Sequence, residues 1–291
     1  MHIAVAAWLF LALRVILLGL ERPLGKKTVS GYSTQVGGFI FFGIAALTLL
    51  PTLAVYSLFH RPESWTFMAY AALTSSLFMT PFVFYMKALK HGEVSVITPL
   101  YSLGTLLVFF LPILFQNEAF TWMKLGGALL IFAGVFFLMP GVNPLDSLRN
   151  IATDRGAQFI ILNTTLIAVI RLIDNYSADF EPVFYAISCA TFNGIFFMAA
   201  VLVSGKWREA VALYRERTKL VWVNGAVNGY AYFTLLLALG LGLDMSVAEP
   251  VSNTSMLIAV VLGHFMFGER IRARMFASVL MVLGVFLLVQ G

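Results

Sequence analysis

Three ionisable side chains stand out within long apolar stretches of the sequence, where a charge must be paired, hydrated or used for binding. They are Arg14, Arg171 and Glu249. An arginine can bind an anionic part of a ligand, whereas a carboxylate can bind a cationic group or carry a proton. Glu249 precedes Pro250, whose missing N–H frees a carbonyl of the preceding turn, and such helix interruptions line binding sites in transporters. The alternative is that Glu249 only caps the first turn of its own helix.

Polar residues form a second pattern, because they follow one face of otherwise apolar segments. Asn224, Asn228 and Tyr232 are spaced i, i+4 and i+8, so they share a helix face. An unpaired amide in hydrocarbon costs roughly 2–7 kcal/mol, so this stripe needs a cavity or a polar neighbour. The other candidate substrate-binding residues on polar faces are Thr98, Tyr101 and Asn253.

Each of these features also has a purely structural interpretation. The two asparagines flank Gly225 and Gly229, a close-packing motif, so they could bridge adjacent helices instead of lining a cavity. Arg171 and Asp174 are i, i+3 partners that could form a local ion pair without a ligand. For Glu118 and Glu269, which lie at span boundaries, anchoring of a helix dipole or a loop is the better interpretation.

The surroundings of these residues are those of a chain embedded in lipid. The 291 residues are 60% hydrophobic and 11% charged, with a mean hydropathy of +0.90, whereas soluble domains are roughly 25% charged. This composition excludes a soluble protein and predicts an all-α integral membrane protein, because lipid offers no partners to open strand edges. Apolar runs near the ~20 residues that cross a bilayer predict ten transmembrane helices: 3–20, 34–58, 66–89, 94–115, 121–139, 157–175, 182–204, 219–240, 245–267 and 273–290.

The ten predicted helices form two copies of one segment. Four pairs of like residues are 151 positions apart: Glu93 and Asp244, Ser95 and Ser246, Pro99 and Pro250, and Glu118 and Glu269. The repeat divides the chain into two five-helix units, residues 1–140 and 157–291. Because five is odd, the two units must enter the bilayer from opposite faces, which is the inverted-repeat construction of secondary transporters.

The basic residues predict an orientation. Fifteen of the 19 lysines and arginines fall on or beside the loops of one face, residues 21–33, 90–93, 140–156, 205–218 and 268–272. The opposite face carries only Arg61 and Lys124, so the positive-inside rule places the first face in the cytoplasm and both termini outside. The formal net charge of +5 needs no nucleic-acid partner, because short basic loops next to the membrane face anionic lipid.

Motifs of enzymes and metal sites were sought without success. The sequence has no His-Glu-x-x-His motif, no glycine-rich phosphate loop and no nucleophile beside a plausible base. The single cysteine, Cys189, excludes an intramolecular disulfide and a cysteine-rich metal site. We therefore predict a protein that is not an enzyme, with no catalytic residue, no cofactor and no metal.

Several short motifs occur in a fixed order along the chain. They are residues 88–95 (Ala-Leu-Lys-His-Gly-Glu-Val-Ser), Pro99 and Pro250 early in spans four and nine, residues 126–129 (Gly-Gly-Ala-Leu) with Ala133-Gly134, and Glu249-Pro250-Val251. In this order they resemble the EamA-type family of the drug/metabolite transporter superfamily. The resemblance implies a basket in which spans 1–4 and 6–9 surround a central cavity and spans 5 and 10 lie at the edge. It also implies cytoplasmic termini, opposite to the charge distribution.

Small residues predict close packing of the fifth and tenth spans. Gly127 and Gly134 are seven positions apart, as are Ala277 and Gly284, so each pair lies on one helix face. A homodimer through these two helices is one use of such faces. The expected partners are therefore a small-molecule substrate, the lipid bilayer and a second copy of the chain.

Together these features predict a secondary transporter of a small organic metabolite, in which two repeats rock about a midplane site. A site with both charge signs suits a zwitterion such as an amino acid or a related amine. Proton-coupled export across a bacterial inner membrane is the most specific form of this hypothesis. One alternative is a flippase for a lipid-linked intermediate, favoured by the 14% aromatic content. Another is a non-transporting assembly subunit whose polar stripes pair among themselves.

The orientation can be tested by labelling single cysteines placed at position His60 and in loop 205–218. We expect the two positions to react from opposite sides of the membrane, with loop 205–218 reached only after permeabilisation, because the basic loops stay in the cytoplasm. Labelling of loop 205–218 in intact cells would reverse the assignment and support cytoplasmic termini.

Overall fold

The computed structural model describes residues 2–101, 103, 104, 107, 121–135, 137, 144–178, 181–243 and 245–290. Within these ranges the chain is helical and contains no strand, which confirms the predicted all-α class. The helices are α1 (His2–Val29), α2 (Thr34–Phe59), α3 (Thr66–His91), α4 (Val94–Tyr101), α5 (Trp122–Val135), α6 (Pro144–Thr153), α7 (Arg155–Ala178), α8 (Pro182–Val203), α9 (Trp207–Glu216), α10 (Thr218–Gly240), α11 (Met245–Asn253), α12 (Met256–Phe267) and α13 (Arg272–Gln290).

Several of these helices have the length and composition of membrane spans. Among the described residues, five segments qualify: Thr34–Phe59, Thr66–His91, Pro182–Val203, Thr218–Gly240 and Val247–Phe267, which joins α11 and α12. Their apolar side chains face outwards in many places, including Leu58, Leu73 and Val223. Such surfaces suit lipid, so the chain is a multi-pass membrane protein.

The largest difference from the predicted spans is at the end of the first helix. α1 continues to Val29, whereas the sequence predicted an end at residue 20 and placed the following charges in a loop. Those charges lie within the helix because they find partners there: Lys26 donates to the carbonyl oxygen of Gly92 at 3.0 Å, and the Arg22 guanidinium lies over the Tyr101 ring. A hydropathy criterion ends a span where several charges follow one another, whether or not the helix ends.

The predicted fourth span, 94–115, is a helix over Val94–Tyr101, and most of residues 102–115 lie outside the described residues. Glu118 and Asp244, two of the residues that define the repeat, also lie outside the described residues.

The ninth span is interrupted, but not where the sequence predicted. Pro250 lies inside α11, and the turn that separates α11 from α12 comes later, at Thr254 and Ser255. The N–H of Thr254 donates to Val251 at 3.0 Å, three residues back, instead of four. The Ser252 hydroxyl donates a hydrogen bond to the carbonyl oxygen of Ala248 at 2.6 Å. Hydroxyls that compete with backbone N–H groups for carbonyl oxygens in this way bend helices.

Helices α5 and α13, the last of each predicted unit, pack closely and antiparallel. A methyl group added at Gly134 would lie 3.0 Å from the carbonyl oxygen of Ala277, and one added at Gly284 would lie 2.6 Å from that of Gly127. This confirms the prediction that the two small-residue faces permit close helix contact. Because the faces contact each other within one chain, a homodimer through these helices would have to use their other faces.

Helices α2 and α8, the second of each unit, also pack antiparallel. Gly43 lies against Gly194, and farther along α2 the ring of Tyr56 lies 5.4 Å from that of Phe184. Other contacts between the units also occur in corresponding pairs. In these pairs α1 corresponds to α7, α2 to α8 and α3 to α10: α1 packs on α10 as α7 packs on α3, and α2 packs on α10 as α8 packs on α3.

The loops that carry the basic residues meet at one end of the molecule. The Glu269 carboxylate accepts the N–H groups of Val94 at 2.9 Å and Ser95 at 2.8 Å, and it pairs with Lys26 at 3.1 Å. Burial acts to raise the pKa of Glu269, but the hydrogen bonds from Ser95 and the charge of Lys26 outweigh it and lower that pKa. The anchoring role predicted for Glu269 is confirmed, although the helix that it caps is α4 of the other unit.

The contact between α5 and α13 provides a matched test of packing. We expect Gly284→Ala to lower stability by about 1–3 kcal/mol, because the added methyl group meets backbone atoms that cannot rotate away. Gly126→Ala on α5 is the control: its methyl group would meet nothing within 4 Å, so better helix propensity should leave stability unchanged or raise it by up to about 1 kcal/mol. Thermal unfolding in detergent measures both, and equal melting of Gly284→Ala and wild type would contradict the close packing.

Candidate functional site

A cavity lies between the two units, with about 870 Å³ of empty space when its opening to solvent is included. Its lining comes from α1, α2, α3 and α4 of the first unit and from α7, α8, α10 and α11 of the second. None of its described lining residues belongs to α5 or α13, so these two helices lie outside the ring around the cavity. This arrangement agrees with the basket that the motifs implied.

The three charges singled out in the sequence meet in this cavity. Oε1 of Glu249 lies 2.5 Å from Nε of Arg171 and 3.4 Å from Nη2 of Arg14. The three residues are only 5%, 8% and 3% exposed, respectively. The Glu249 carboxylate therefore reaches across to α1 and α7 instead of capping α11, and it links three helices that are far apart in sequence.

Arg14 is held from two further directions. Its Nε donates to the Ser252 hydroxyl at 2.7 Å, and its Nη1 donates to the carbonyl oxygen of Ala231 at 2.8 Å. The guanidinium is thus fixed in the interior between α1, α10 and α11. It does not extend to either membrane surface.

Asp174 extends the same group of charges. Its Oδ2 accepts Nη1 of Arg171 at 2.8 Å, and its Oδ1 accepts the hydroxyls of Tyr185 at 2.9 Å and Tyr232 at 2.8 Å. The Tyr185 hydroxyl also lies 2.9 Å from that of Thr74 on α3. The local Arg171–Asp174 pair considered in the sequence is therefore one part of a larger arrangement. Arg14, Arg171, Asp174 and Glu249 are called the ionic network below.

The ionic network is formally neutral, because it contains two arginines and two carboxylates. Such balance is required in a low-dielectric interior: removal of one partner of a buried ion pair costs about 3–5 kcal/mol, since it leaves the other charge uncompensated. The network consequently binds α1, α7 and α11 together without any help from a ligand.

A second charged region lies farther along α1, at the other end of the cavity. Glu21 accepts the Tyr85 hydroxyl at 3.1 Å, and the Arg22 guanidinium carbon lies 4.6 Å from the centre of the Tyr101 ring. Arg22 follows Arg14 by eight residues, so the two lie about 12 Å apart along the helix at 1.5 Å per residue.

Aromatic rings line the space between these two regions. Phe42 of α2 packs against Phe82 and Phe78 of α3, with ring centres 4.7 Å and 5.6 Å apart, and all three rings line the cavity. The cavity therefore combines an apolar wall with a charged region at each end. Pockets of this construction hold small organic molecules.

Seven of the nine predicted site residues line the cavity: Arg14, Tyr101, Arg171, Asn228, Tyr232, Glu249 and Asn253. Asn224 and Thr98 do not belong to the lining. Asn224 is buried next to Gly225, where α10 meets α2, and neither atom of its amide has a hydrogen-bond partner. The hydroxyl of Thr98 is also buried without a partner.

Sequence reasoning missed several lining residues, among them Glu21 and Arg22, which it had placed in a loop. A usable signal was present. Arg14, Leu18, Glu21 and Arg22 are spaced i, i+4, i+7 and i+8, so they share one face of a single long helix. The amides of Asn163 and Asn193 also line the cavity, and each has a buried oxygen without a partner.

A smaller space of about 260 Å³ adjoins the cavity between α4, α7 and α11. It shares Tyr101, Arg171, Glu249 and Asn253 with the main cavity. These four side chains consequently separate two spaces, and a rearrangement of the ion pairs would connect them.

The chain was compared with known proteins at the levels of sequence and fold. Residues 5–139 match the model of the EamA-like transporter family, and they correspond to the first five-helix unit. No curated protein matches the chain. Among solved structures, 28 chains match. One of them, described as "Crystal structure of protein", has a TM-score of 0.63 at 14% identity, covering 99% of this chain and 97% of that one.

The structural match shows a shared fold along nearly the whole chain, and the family match concerns its first half. Residues 5–139 are therefore similar to the EamA-like transporter family, which is part of the drug/metabolite transporter superfamily of membrane proteins.

Proposed function

We propose that the protein is a secondary transporter that moves a small organic metabolite by alternating access. The observation that carries this proposal is the cavity between the two units, which has a buried charged region at each end. Charged side chains are rare within a membrane because of their cost, and those that face an interior cavity usually belong to a substrate or ion pathway. The family match supports the same conclusion.

The proposed architecture is ten spans in two inverted five-helix units, residues 1–140 and 157–291. Two pairs of corresponding helices support it, because α2 with α8 and α5 with α13 pack antiparallel. Corresponding elements point in opposite directions when two repeats have opposite topology in the membrane. The interrupted ninth span, which supplies Glu249 and Asn253 to the cavity, is also typical of transporters with inverted repeats.

The proposed substrate is a zwitterion of the amino-acid or amine type. The cavity lining contains three arginines and three acids, which suits a molecule with both charge signs better than an inorganic ion. Proton-coupled export across a bacterial inner membrane is the specific form of the proposal, with Glu249 as the candidate proton carrier.

The two alternatives have less support. A non-transporting subunit would pair its polar side chains with one another, but Asn228 lines the cavity without a hydrogen bond to any described residue, and the oxygens of Asn163 and Asn193 lack partners too. A lipid flippase would need a polar groove open sideways, whereas the charges here are surrounded by eight helices.

A homodimer through α5 and α13 would rest on outward faces that carry Leu129 and Phe286, and these also suit lipid.

Asn228 and Asn224, one turn apart on α10, provide a matched pair for testing the cavity. We expect Asn228→Leu to impair transport while the folded yield stays near normal, because this amide faces the cavity. Asn224→Leu should keep transport per folded molecule and raise stability by up to about 1–3 kcal/mol, because it removes a buried amide without partners. The measurements are counterflow of labelled amino acids and primary amines in proteoliposomes, and thermal unfolding. Equal transport by the two variants would contradict the assignment of the cavity as the substrate path.

The role of the ionic network can be tested through its charge balance. We expect Glu249→Gln to lower stability by about 3–5 kcal/mol and to abolish transport, because two arginines lose their shared carboxylate. The double variant Arg14→Gln with Glu249→Gln restores neutrality, so it should recover most of the stability but no transport. The same two assays separate folding from function. If Glu249→Gln melts and transports like wild type, Glu249 has no role in transport.

A further inference from the structure

Arg22 is a buried cation whose guanidinium lacks a direct ion pair. It is 3% exposed, and its Nη1 is enclosed without a hydrogen-bond partner. It forms no ion pair with any residue that the structure describes. The guanidinium carbon lies 4.6 Å from the centre of the Tyr101 ring, and the charge also acts on Glu21 and Glu249. The side chain of Arg22 lines the cavity in which a ligand would lie.

The contact with Tyr101 does not compensate for the burial of this charge. A cation over an aromatic ring gains about 0.5–2 kcal/mol, whereas removal of an ion from water costs several kcal/mol even after relaxation. A guanidinium in such a place needs an anion with which to share its five N–H donors.

Three of the neighbouring acids are already paired with other cations. Glu249 and Asp174 are bound within the ionic network, and Glu269 is paired with Lys26. Glu21, next to Arg22 in the sequence, accepts the Tyr85 hydroxyl and balances the charge of Arg22 without a direct ion pair. Of the three arginines that line the cavity, Arg22 is the one that makes no ion pair with the described side chains.

We propose that Arg22 binds the carboxylate of the substrate, at the end of the cavity opposite the ionic network. This inference rests on the proposed transporter function and deepens it, because it places the anionic group of the substrate away from Arg14 and Arg171. A carboxylate matches the planar fork of a guanidinium with two parallel hydrogen bonds. A singly charged carboxylate also neutralises Arg22 completely, whereas a phosphate dianion would leave excess negative charge in a lipid-surrounded cavity.

The surroundings of Arg22 define the rest of the ligand. Asn163 belongs to the same end of the cavity, because its amide nitrogen donates to Pro81 at 2.8 Å, one turn from the Tyr85 that contacts Glu21. The Asn163 oxygen without a partner and the Glu21 carboxylate are acceptors for the N–H groups of an ammonium. The aromatic wall of Phe42, Phe78 and Phe82 continues from there and suits an apolar side chain. The ligand class is an α-amino acid with an apolar side chain, bound by its head group at Glu21 and Arg22.

Three probes that differ by one charged group each test this assignment. They are L-phenylalanine, 3-phenylpropionate, which lacks the amine, and 2-phenylethylamine, which lacks the carboxylate. The readout is the thermal stabilisation of the purified full-length protein as a function of probe concentration, because a ligand that binds the folded state raises its stability by mass action. The variants are Arg22→Gln and, as a control, Lys27→Gln, which removes one exposed charge from the same end of α1.

We expect wild type and Lys27→Gln to be stabilised by L-phenylalanine and by 3-phenylpropionate. In Arg22→Gln the apparent affinity for both carboxylates should fall at least about tenfold, which corresponds to about 1.4 kcal/mol, while the response to 2-phenylethylamine stays unchanged. Without any probe, Arg22→Gln should melt close to the wild-type temperature, because it removes a buried guanidinium that makes no direct ion pair.

Three results would overturn the inference. One is a wild-type protein that neither carboxylate stabilises, and another is an Arg22→Gln protein that binds all three probes as wild type does. The third is an Arg22→Gln protein that unfolds well below wild type without ligand, because Arg22 would then serve the fold. Counterflow in proteoliposomes tests the proposed function separately. If carboxylates bind through Arg22 but are never exchanged, the binding site is supported and the transporter function is contradicted.

Discussion

Compensation of charge inside a low-dielectric interior is the constraint on which this structure depends. Glu249 can lie in the membrane because Arg14 and Arg171 reach it from two other helices, and Asp174 balances the second arginine. Each of these groups would be costly alone, and together they are neutral. The ionic network therefore fixes how α1, α7 and α11 lie relative to one another, and it does so near the middle of the molecule, where apolar packing between helices has no solvent-driven preference for one arrangement.

The same constraint applies at the basic end, where loops of the two units contact each other. Glu269 of one unit caps the first turn of α4 in the other, and Arg274 of α13 binds Glu93 just before α4. These contacts join the units outside the cavity, while the ionic network joins them inside it. Alternating access would have to break one set and keep the other. The charged contacts between the units, and not the helices themselves, are thus the elements that a transport cycle would rearrange.

The sequence was sufficient for the helices but not for their partners. Hydropathy predicted α2, α3, α8, α10 and α13 to within two residues at each end, because a membrane span is a continuous run of apolar residues. It ended α1 too early, because it treats Arg22 and Lys26 as the end of a span. Their contacts with Tyr101 and Glu269 appear only in the folded structure. Helical spacing also made Asn224 and Asn228 equivalent, since they share a face, yet α2 covers one and the cavity receives the other. Pairings such as Arg14 with Glu249, 235 positions apart, follow from the tertiary fold, which local pattern does not contain.

The two charged regions of the cavity have opposite consequences for a carrier. The ionic network is neutral without a ligand, so it stabilises the protein in the empty state. Arg22 makes no ion pair in that state and has a buried N–H without a partner, so a bound carboxylate would supply a hydrogen-bonding partner that the protein lacks. A loaded carrier would then enclose Arg22 with its N–H groups bound, whereas an empty one would enclose a guanidinium with an unsatisfied donor each time it closed. Because enclosure removes the water that otherwise hydrates Arg22, this difference favours movement of the loaded carrier over movement of the empty one, which is the condition for exchange of substrate across the membrane.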